Sequence, residues 1–359
     1  MNASIALRNI IKPLVSPAVF DFWASKLVAN ASWQTPLATV VERRVEARDS
    51  VTLVLRPNGH FQGFSPGQHI NVTVDVAGVR QTRSYSLTGV PNKSRLLSIT
   101  VKRIAGGKMS AELCQRLRVG DVVEIGQAYG EMTIPADYQG NWLLLAAGSG
   151  ITPLMSIVRA LTQQDLHHSV TLVYWGRTRA DFCFFQELRA LSASQPRFHV
   201  QFVLTREPEP LPDDVQGRPS LALLESLLPD MATQRTYACG SAGFVETVRD
   251  LLSDRVESFS SEAFTPLTIP FTDAGTVSVR LTKSQRTLEL PVGKTILQGL
   301  EEAGVMPASG CRRGICNTCA CGKGSGVTEN VLSGDVSAEP ASALRICISA
   351  ARSDIALDL

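Results

Sequence analysis

The chain has 359 residues, 35 Lys and Arg against 33 Asp and Glu, a formal net charge of +2 and 19% charged residues. At roughly 100 to 200 residues per domain this predicts two or three domains, and near-neutrality without a long run of one sign excludes nucleic acid as a partner. No apolar run reaches the roughly 18 residues that cross a bilayer, and Arg8, Lys12, Pro13 and Pro17 interrupt any signal-peptide core, so a cytoplasmic protein is expected.

The expected parts are an N-terminal helical extension (1–33), a barrel (34–138), a nucleotide domain (139–265) and a small C-terminal domain (272–359). Residues 18–30 have helical spacing, with Phe20, Trp23 and Leu27 on one side and Asp21, Ser25 and Lys26 off it. Docking of that face on the following barrel is expected. Peripheral contact with a membrane is the alternative, although such helices usually carry more basic residues.

From residue 34 to 130, short alternating stretches such as "SVTLVLRP", "QHINVTVDVAG" and "LLSITVKRI" predict a closed antiparallel barrel. Within it stand "RSYS" (Arg83, Ser84, Tyr85, Ser86) and "GGKMS" (Gly106 to Ser110). An arginine for a phosphate, a tyrosine ring to stack on an isoalloxazine and a serine for its polar edge are what a flavin asks for; an ordinary barrel strand can also carry them.

"NWLLLAAGSGITPLMSIVRAL" then reads as an apolar strand, a turn with Gly148 and Gly150, and a helix with Thr152 as N-cap and Pro153 as first helical residue. A glycine turn feeding a helix N-terminus holds pyrophosphate, though this one lacks the G-x-G-x-x-G spacing. Alternating strands and helices follow as far as "RTYACG" and "SAGFVETVRDLL", predicting a parallel doubly wound domain. Arg177 and Arg179 follow its second strand, with Arg206 and Arg218 further on; arginines suit a 2'-phosphate, whereas a carboxylate suits a 2'-hydroxyl. Asp181 argues the other way, for NADH, if it turns toward the ribose.

Phe264 to Gly275 reads as a linker, followed by a hairpin ("TVSVRLTKSQRTLEL") and a helix ("KTILQGLEEAGV"). Then Cys311, Cys316 and Cys319 are spaced C-x4-C-x2-C, and Cys347 follows after 27 intervening residues. This is the plant-type [2Fe-2S] spacing. Zinc is the competing reading, but it usually needs a second paired knuckle, and Cys347 has no neighbouring Cys or His. Cys114, Cys183 and Cys239 stand singly, which argues against a disulfide framework; Cys321 is expected to be a non-ligand.

In this order, "RSYS", "GGKMS", "GSGITP", "YACGSAGF" and the cysteine loop resemble the ferredoxin-NADP reductase superfamily with a fused plant-type ferredoxin. The resemblance covers the chain from residue 34 onward, and "PAVFDFWASKL" with "WQTPLATVVERR" is most similar to bacterial reductase partners of fatty-acid desaturases and related di-iron hydroxylases. It implies a β-grasp fold for the C-terminal domain, FAD, NADPH and a [2Fe-2S] cluster as cofactors, and a redox partner that is a membrane di-iron enzyme. Arg83, Ser84, Tyr85 and Ser86 would hold the flavin and its phosphate, with Lys102, Gly107, Lys108, Met109 and Ser110 among the remaining FAD contacts. Gly148 and Gly150 would face the nucleotide, Thr152 would approach the flavin from the nucleotide domain, Cys239 and Gly240 would line the nicotinamide, and Glu262 or Phe264 would lie beside the flavin's other face. Arg177, Arg206 and Arg218 match the arginines that hold the 2'-phosphate. Three alternatives stay open: the reductase of an aromatic-ring or other multicomponent oxygenase, a self-sufficient flavin reductase of small acceptors, and a redox sensor.

Overall fold

The computed structural model describes residues 16–135, 140–163, 168–212, 214–228, 230–264 and 275–359. Residues 1–15 of the N-terminal extension, the interior of the expected linker and the domain limits expected at 138, 139, 265 and 272 lie outside them. None of the described helices is long and apolar enough to cross a membrane. The chain divides into two compact units, Met1–Gln81 with Tyr85–Phe264, and Thr82–Ser84 with Thr265–Leu359.

Helix α1 (Pro17–Leu27) starts where Ser16 accepts a hydrogen bond from the Val19 amide and Pro17 occupies the first turn. Its expected packing face is split. Phe20 packs edge-on against Trp33, with ring centroids 5.1 Å apart, and the Asp21 carboxylate accepts the Trp33 N–H at 2.5 Å. Trp23 and Leu27 stay exposed. The reason is that Asp21, which cannot be buried without a donor, turns the helix toward the Trp33 amide.

The barrel comprises β1 (Leu37–Ala47), β2 (Ser50–Pro57), β3 (His69–Val76), β4 (Val79–Ser86), β5 (Leu97–Lys102) and β6 (Val122–Ile125), in the order β4-β3-β6-β1-β2-β5. A bridge from Leu87, just past β4, to Ile99 in β5 joins the two outer strands, which removes both sheet edges. Leu53, Leu55, Ile70, Val72, Leu87 and Ile99 fill the interior. Between β5 and β6 lies the short helix α2 (Lys108–Ala111), which runs into a wide turn at Glu112–Arg116.

The nucleotide domain runs β7 (Asn141–Ala147), α3 (Ile151–Thr162), β8 (Val170–Gly176), α4 (Phe185–Ser194), β9 (Phe198–Leu204), β10 (Val215–Gln216), α5 (Leu221–Leu227), β11 (Gln234–Gly240), α6 (Ala242–Leu252) and β12 (Ser258–Ala263). The strands are parallel, in the order β10-β9-β8-β7-β11-β12. Along β7, Trp142, Leu144 and Ala146 enter the core on one face of the sheet and Leu143 and Leu145 the core on the other, as a strand covered by helices on both sides requires. The chain winds outward from β7 to β10 and returns to β11 on the opposite side of β7. The switch point therefore lies between β7 and β11, where such sheets bind ligands.

Barrel and nucleotide domain share one unit because buried polar contacts cross between them. Ser156 of α3, fully buried, donates to the Gly89 carbonyl at 2.5 Å, and Arg159 donates to the Thr88 carbonyl at 2.6 Å while pairing with Glu187. Arg48 of the barrel bonds Asp181 at 2.9 Å.

The second unit contains β13 (Thr276–Leu281), β14 (Arg286–Pro291), α7 (Ile296–Glu302), β15 (Ala320–Ser325), β16 (Thr328–Asn330), β17 (Val336–Ser337), β18 (Ala341–Arg345), β19 (Ser349–Ala351) and β20 (Ile355–Leu357). A five-stranded sheet, β14-β13-β20-β15-β18, and a three-stranded one, β17-β16-β19, enclose α7. Thr295 caps α7 reciprocally with Gln298, and Leu297 and Leu300 bury its apolar stripe against Val279, Ile346 and Ile355.

Two expectations follow for the seam. Ser156→Ala strands the Gly89 carbonyl without its donor and is expected to cost about 1–3 kcal/mol, read as a lower urea midpoint for the barrel–nucleotide unit. Burial alone would raise the Asp181 carboxyl, but hydrogen bonds from Arg48 and Thr178 and the nearby Lys102 outweigh it and hold the group below its ordinary value. The stability this provides is present above the unfolded value of about 3.9 and lost as pH falls through the lower folded value. Asp181→Asn is expected to flatten that acid limb in urea titrations; an unchanged limb would assign it to other carboxylates.

Candidate functional site

The cysteine loop, between α7 and β15, contains three residues with left-handed backbone, Arg312, Gly314 and Asn317. Only glycine fits at 314, since a Cβ there would meet Ile348 Cδ1 at 2.4 Å. The tight winding turns backbone N–H groups onto sulfur. The amides of Arg313 and Cys316 both reach Cys311 Sγ at 3.3 Å, and the Cys311 amide reaches Cys316 Sγ at 3.2 Å. Arg345 ends β18 and donates to the Gly314 carbonyl at 2.6 Å, which ties the segment that carries Cys347 to the loop.

The four thiols form two pairs, Cys311 with Cys316 and Cys319 with Cys347. Within each, a shared hydrogen bond holds Cys316 or Cys319 below the ordinary thiol value and pushes its partner above it. Four thiolates, two per iron, are what a [2Fe-2S] rhomb takes. The donor set therefore fits a two-iron cluster. Burial pushes the Cys321 thiol up to about 11, and its side chain packs into the core of this domain.

At the switch point the structure alters one expectation. The helix-cap position belongs to Gly150, and Thr152 and Pro153 already lie inside α3, because the Gly148–Gly150 turn winds directly into the helix. Thr152 instead donates its hydroxyl to the Ser149 carbonyl at 2.9 Å. The fully buried Tyr174 donates to the Gly148 carbonyl at 3.0 Å and accepts the Cys183 amide at 3.2 Å. In planar trans peptides, carbonyls held inward turn the Ser149 and Gly150 N–H groups the other way, as a pyrophosphate cradle needs. Gly240, at the end of β11, has no room for a side chain either: a Cβ would lie 2.7 Å from the Phe244 ring and 3.0 Å from Ala147 Cβ. Cys239 is fully buried, with its Sγ 3.8 Å from Met132 Sδ, so it forms the floor of this crevice.

Arg177, Arg206 and Arg218 are exposed and follow the adjacent parallel strands β8, β9 and β10; the Arg206 amide bonds the Arg177 carbonyl at 2.8 Å. Arg179 is engaged by Asp214 and, at 3.6 Å, Glu207. Asp181 faces Arg48, Thr178 and, at 3.6 Å, Lys102. Lys102 thus points at the seam.

In the barrel, Tyr85 is half-buried against the core and Ser86 is buried. Arg83 donates to its neighbour's carbonyl, Thr82, at 2.8 Å, and Ser84 is half-buried. Gly107 precedes α2, and a Cβ there would lie 2.6 Å from Ser110 Oγ. Ser110 accepts the Ile104 amide at 3.1 Å and Met109 is buried, so the loop is fixed from below while Lys108 stays exposed.

Glu262 lies across from Cys239 in the β11–β12 pair, and the Phe264 amide bonds the Gly240 carbonyl at 2.7 Å. Sequence reasoning missed their neighbour His69. It is 1% exposed, its Nε2 lies 2.9 Å from the Glu262 carboxylate, and its ring sits between Tyr129, 5.9 Å away and stacked, and Phe264, 6.4 Å away and edge-on. The pair is close but too poorly aligned for a hydrogen bond, and both nitrogens of His69 lack one. The available signal was a histidine at the head of the alternating run "QHINVTV".

A model of the oxidoreductase FAD-binding domain matches residues 37–134, one of the oxidoreductase NAD-binding domain residues 144–250, and one of the 2Fe-2S iron-sulfur cluster binding domain residues 279–352. The chain is 31% identical to a NADPH oxidoreductase of Mycobacterium tuberculosis over 99% of its own length and 92% of the relative's. It is also 31% identical to the ferredoxin reductase component of a 3-ketosteroid-9-alpha-monooxygenase from the same species, over 79% of this chain and 83% of that one. Among solved structures, phthalate dioxygenase reductase superposes with a TM-score of 0.59 at 27% identity, over 90% of this chain and 97% of that one. Matched along nearly its whole length, the chain belongs to the ferredoxin-NADP reductase-like oxidoreductases, electron-transfer proteins that join FAD-binding and NAD-binding domains to a C-terminal [2Fe-2S] domain.

Proposed function

We propose that this reductase takes electrons from NADPH and delivers them singly to a membrane-bound di-iron enzyme, an acyl desaturase or related hydroxylase. The observation that carries the relay is the C-x4-C-x2-C loop, wound around its own sulfurs and tied to the segment of Cys347, in a chain that also matches FAD-binding and NAD-binding domain models. When bound, FAD accepts a hydride and the cluster accepts single electrons, so a two-electron donor can serve a one-electron acceptor. The chain's own residues bind and orient. The Gly148–Gly150 turn and the start of α3 take the dinucleotide pyrophosphate, Tyr85 and Ser86 flank the flavin, and Glu262 with Phe264 closes its other side. No side-chain base is needed for hydride transfer.

NADPH is favoured over NADH because Arg177, Arg206 and Arg218 gather at three neighbouring strand ends, and no described carboxylate pairs with any of them. Asp181, the acid that could bind a 2'-hydroxyl, is committed to Arg48 and Thr178. The desaturase assignment rests on the resemblance of residues 17–44 to desaturase reductases and on the aromatic side chains that α1 leaves exposed. A second reading, reductase of a soluble multicomponent oxygenase, is favoured by the ketosteroid monooxygenase relative.

Anaerobic NADPH titration of the holoprotein is expected to bleach the flavin and then to raise the low-temperature paramagnetic signal of a reduced cluster, while Cys347→Ser keeps the bleaching and loses the signal. Retention of that signal in Cys347→Ser would remove the fourth ligand from the proposal. Replacing Arg177, Arg206 and Arg218 together by Ala is expected to raise KM for NADPH by about 10- to 100-fold, at about 1.5–3 kcal/mol per charged hydrogen bond with incomplete additivity, and to leave NADH turnover nearly unchanged. Equal losses with both nucleotides would refute the 2'-phosphate assignment.

A further inference from the structure

We infer that α1 is a membrane-surface anchor that lies among the headgroups of a bilayer containing anionic lipid. At 100° per residue, Val19, Phe22, Trp23, Lys26 and Leu27 fall within an arc of about 140°, and Phe20, Ala24 and Asp21 fill the adjoining arc of about 100° that begins just past Leu27. The second side is the docked one, through Phe20 on Trp33 and Asp21 on the Trp33 amide. The first faces outward: Val19 is 51% exposed, Phe22 57%, Trp23 66% and Leu27 88%. A single exposed leucine needs no explanation, but four large apolar side chains on three turns of one helix form a patch.

Charge indicates what covers it. Residues 1–41 contain three cations, Arg8, Lys12 and Lys26, and one acid, Asp21. That acid is turned inward, accepting from the Trp33 N–H at 2.5 Å and from Ser32 Oγ at 3.4 Å. The outward arc therefore carries only positive charge, at Lys26, whose Nζ lies 5.5 Å from the centre of the Phe22 ring. A protein groove that took this arc would have to bury or match a lysine in its middle. A bilayer does not: the ammonium stays at the phosphates while the neighbouring rings go deeper. Trp, Phe and Leu beside a lysine, on a helix of 11 residues, about 16 Å long, suit a helix lying in the interface plane. This inference is independent of which enzyme accepts the electrons.

The test is flotation of the full-length holoprotein with phosphatidylcholine vesicles, with and without phosphatidylglycerol. Binding is expected to the anionic vesicles, weakened by salt, and to fall at least about tenfold in Trp23→Ser/Leu27→Ser, whose lost apolar burial amounts to at least one factor of ten. Ferricyanide reduction by NADPH should be the same in both proteins, which shows that the variant is folded. No binding to anionic vesicles, or equal binding by the variant, overturns the inference. So does a lipid-free dimer in size-exclusion chromatography that the double variant abolishes, since the face would then belong to a second copy of the chain.

Discussion

The contact on which the catalytic half depends is between two stretches of backbone. The Gly148–Gly150 turn lies so close to β11 that a Cβ on Gly150 would fall 2.0 Å from the Cys239 carbonyl oxygen. That approach brings the glycine turn and the end of β11 together at the switch point of the sheet. It also explains the buried polar groups around it. Tyr174 and Thr152 hold the two turn carbonyls, which fixes the direction of the turn's amides. A core tyrosine far from the nucleotide in sequence thus shapes the binding loop.

The second constraint is the seam. A barrel and an α/β domain could be hinged, but Ser156 and Arg159 cross between them with hydrogen bonds in low-dielectric surroundings, where an unpaired group is costly, and Arg48 adds a more exposed bond to Asp181. The last of these commits the Asp181 carboxylate to Arg48, with Thr178 beside it. His69 is covered differently. In β3 it sits on the face opposite Ile70 and Val72, the residues that fill the barrel, and it is buried only because Tyr129 and the end of β12 cover it.

The cluster loop obeys a different rule. Its winding is set by left-handed residues and by amides aimed at sulfur, and the turn after β18 that carries Cys347 is tied to the loop through Arg345 and Gly314. Backbone amides aimed at sulfur favour the thiolate, the form that binds a metal.

Spacing and periodicity in the chain alone specified the iron-sulfur domain, the glycine turn, the alternation of barrel strands and the strand–helix order of the nucleotide domain, because each is a local pattern read over a few residues. The hairpin at 276–291 and the helix after it were legible for the same reason. Tertiary structure decided what depends on distant residues: that α3 begins at Gly150's cap and not at Thr152, that Asp181 and Lys102 face the seam, that Trp23 and Leu27 are left outside while Phe20 is docked, and that His69 meets Glu262. A side chain's partner across 100 or more residues is set by how the layers stack, and no single-strand or single-helix period records that.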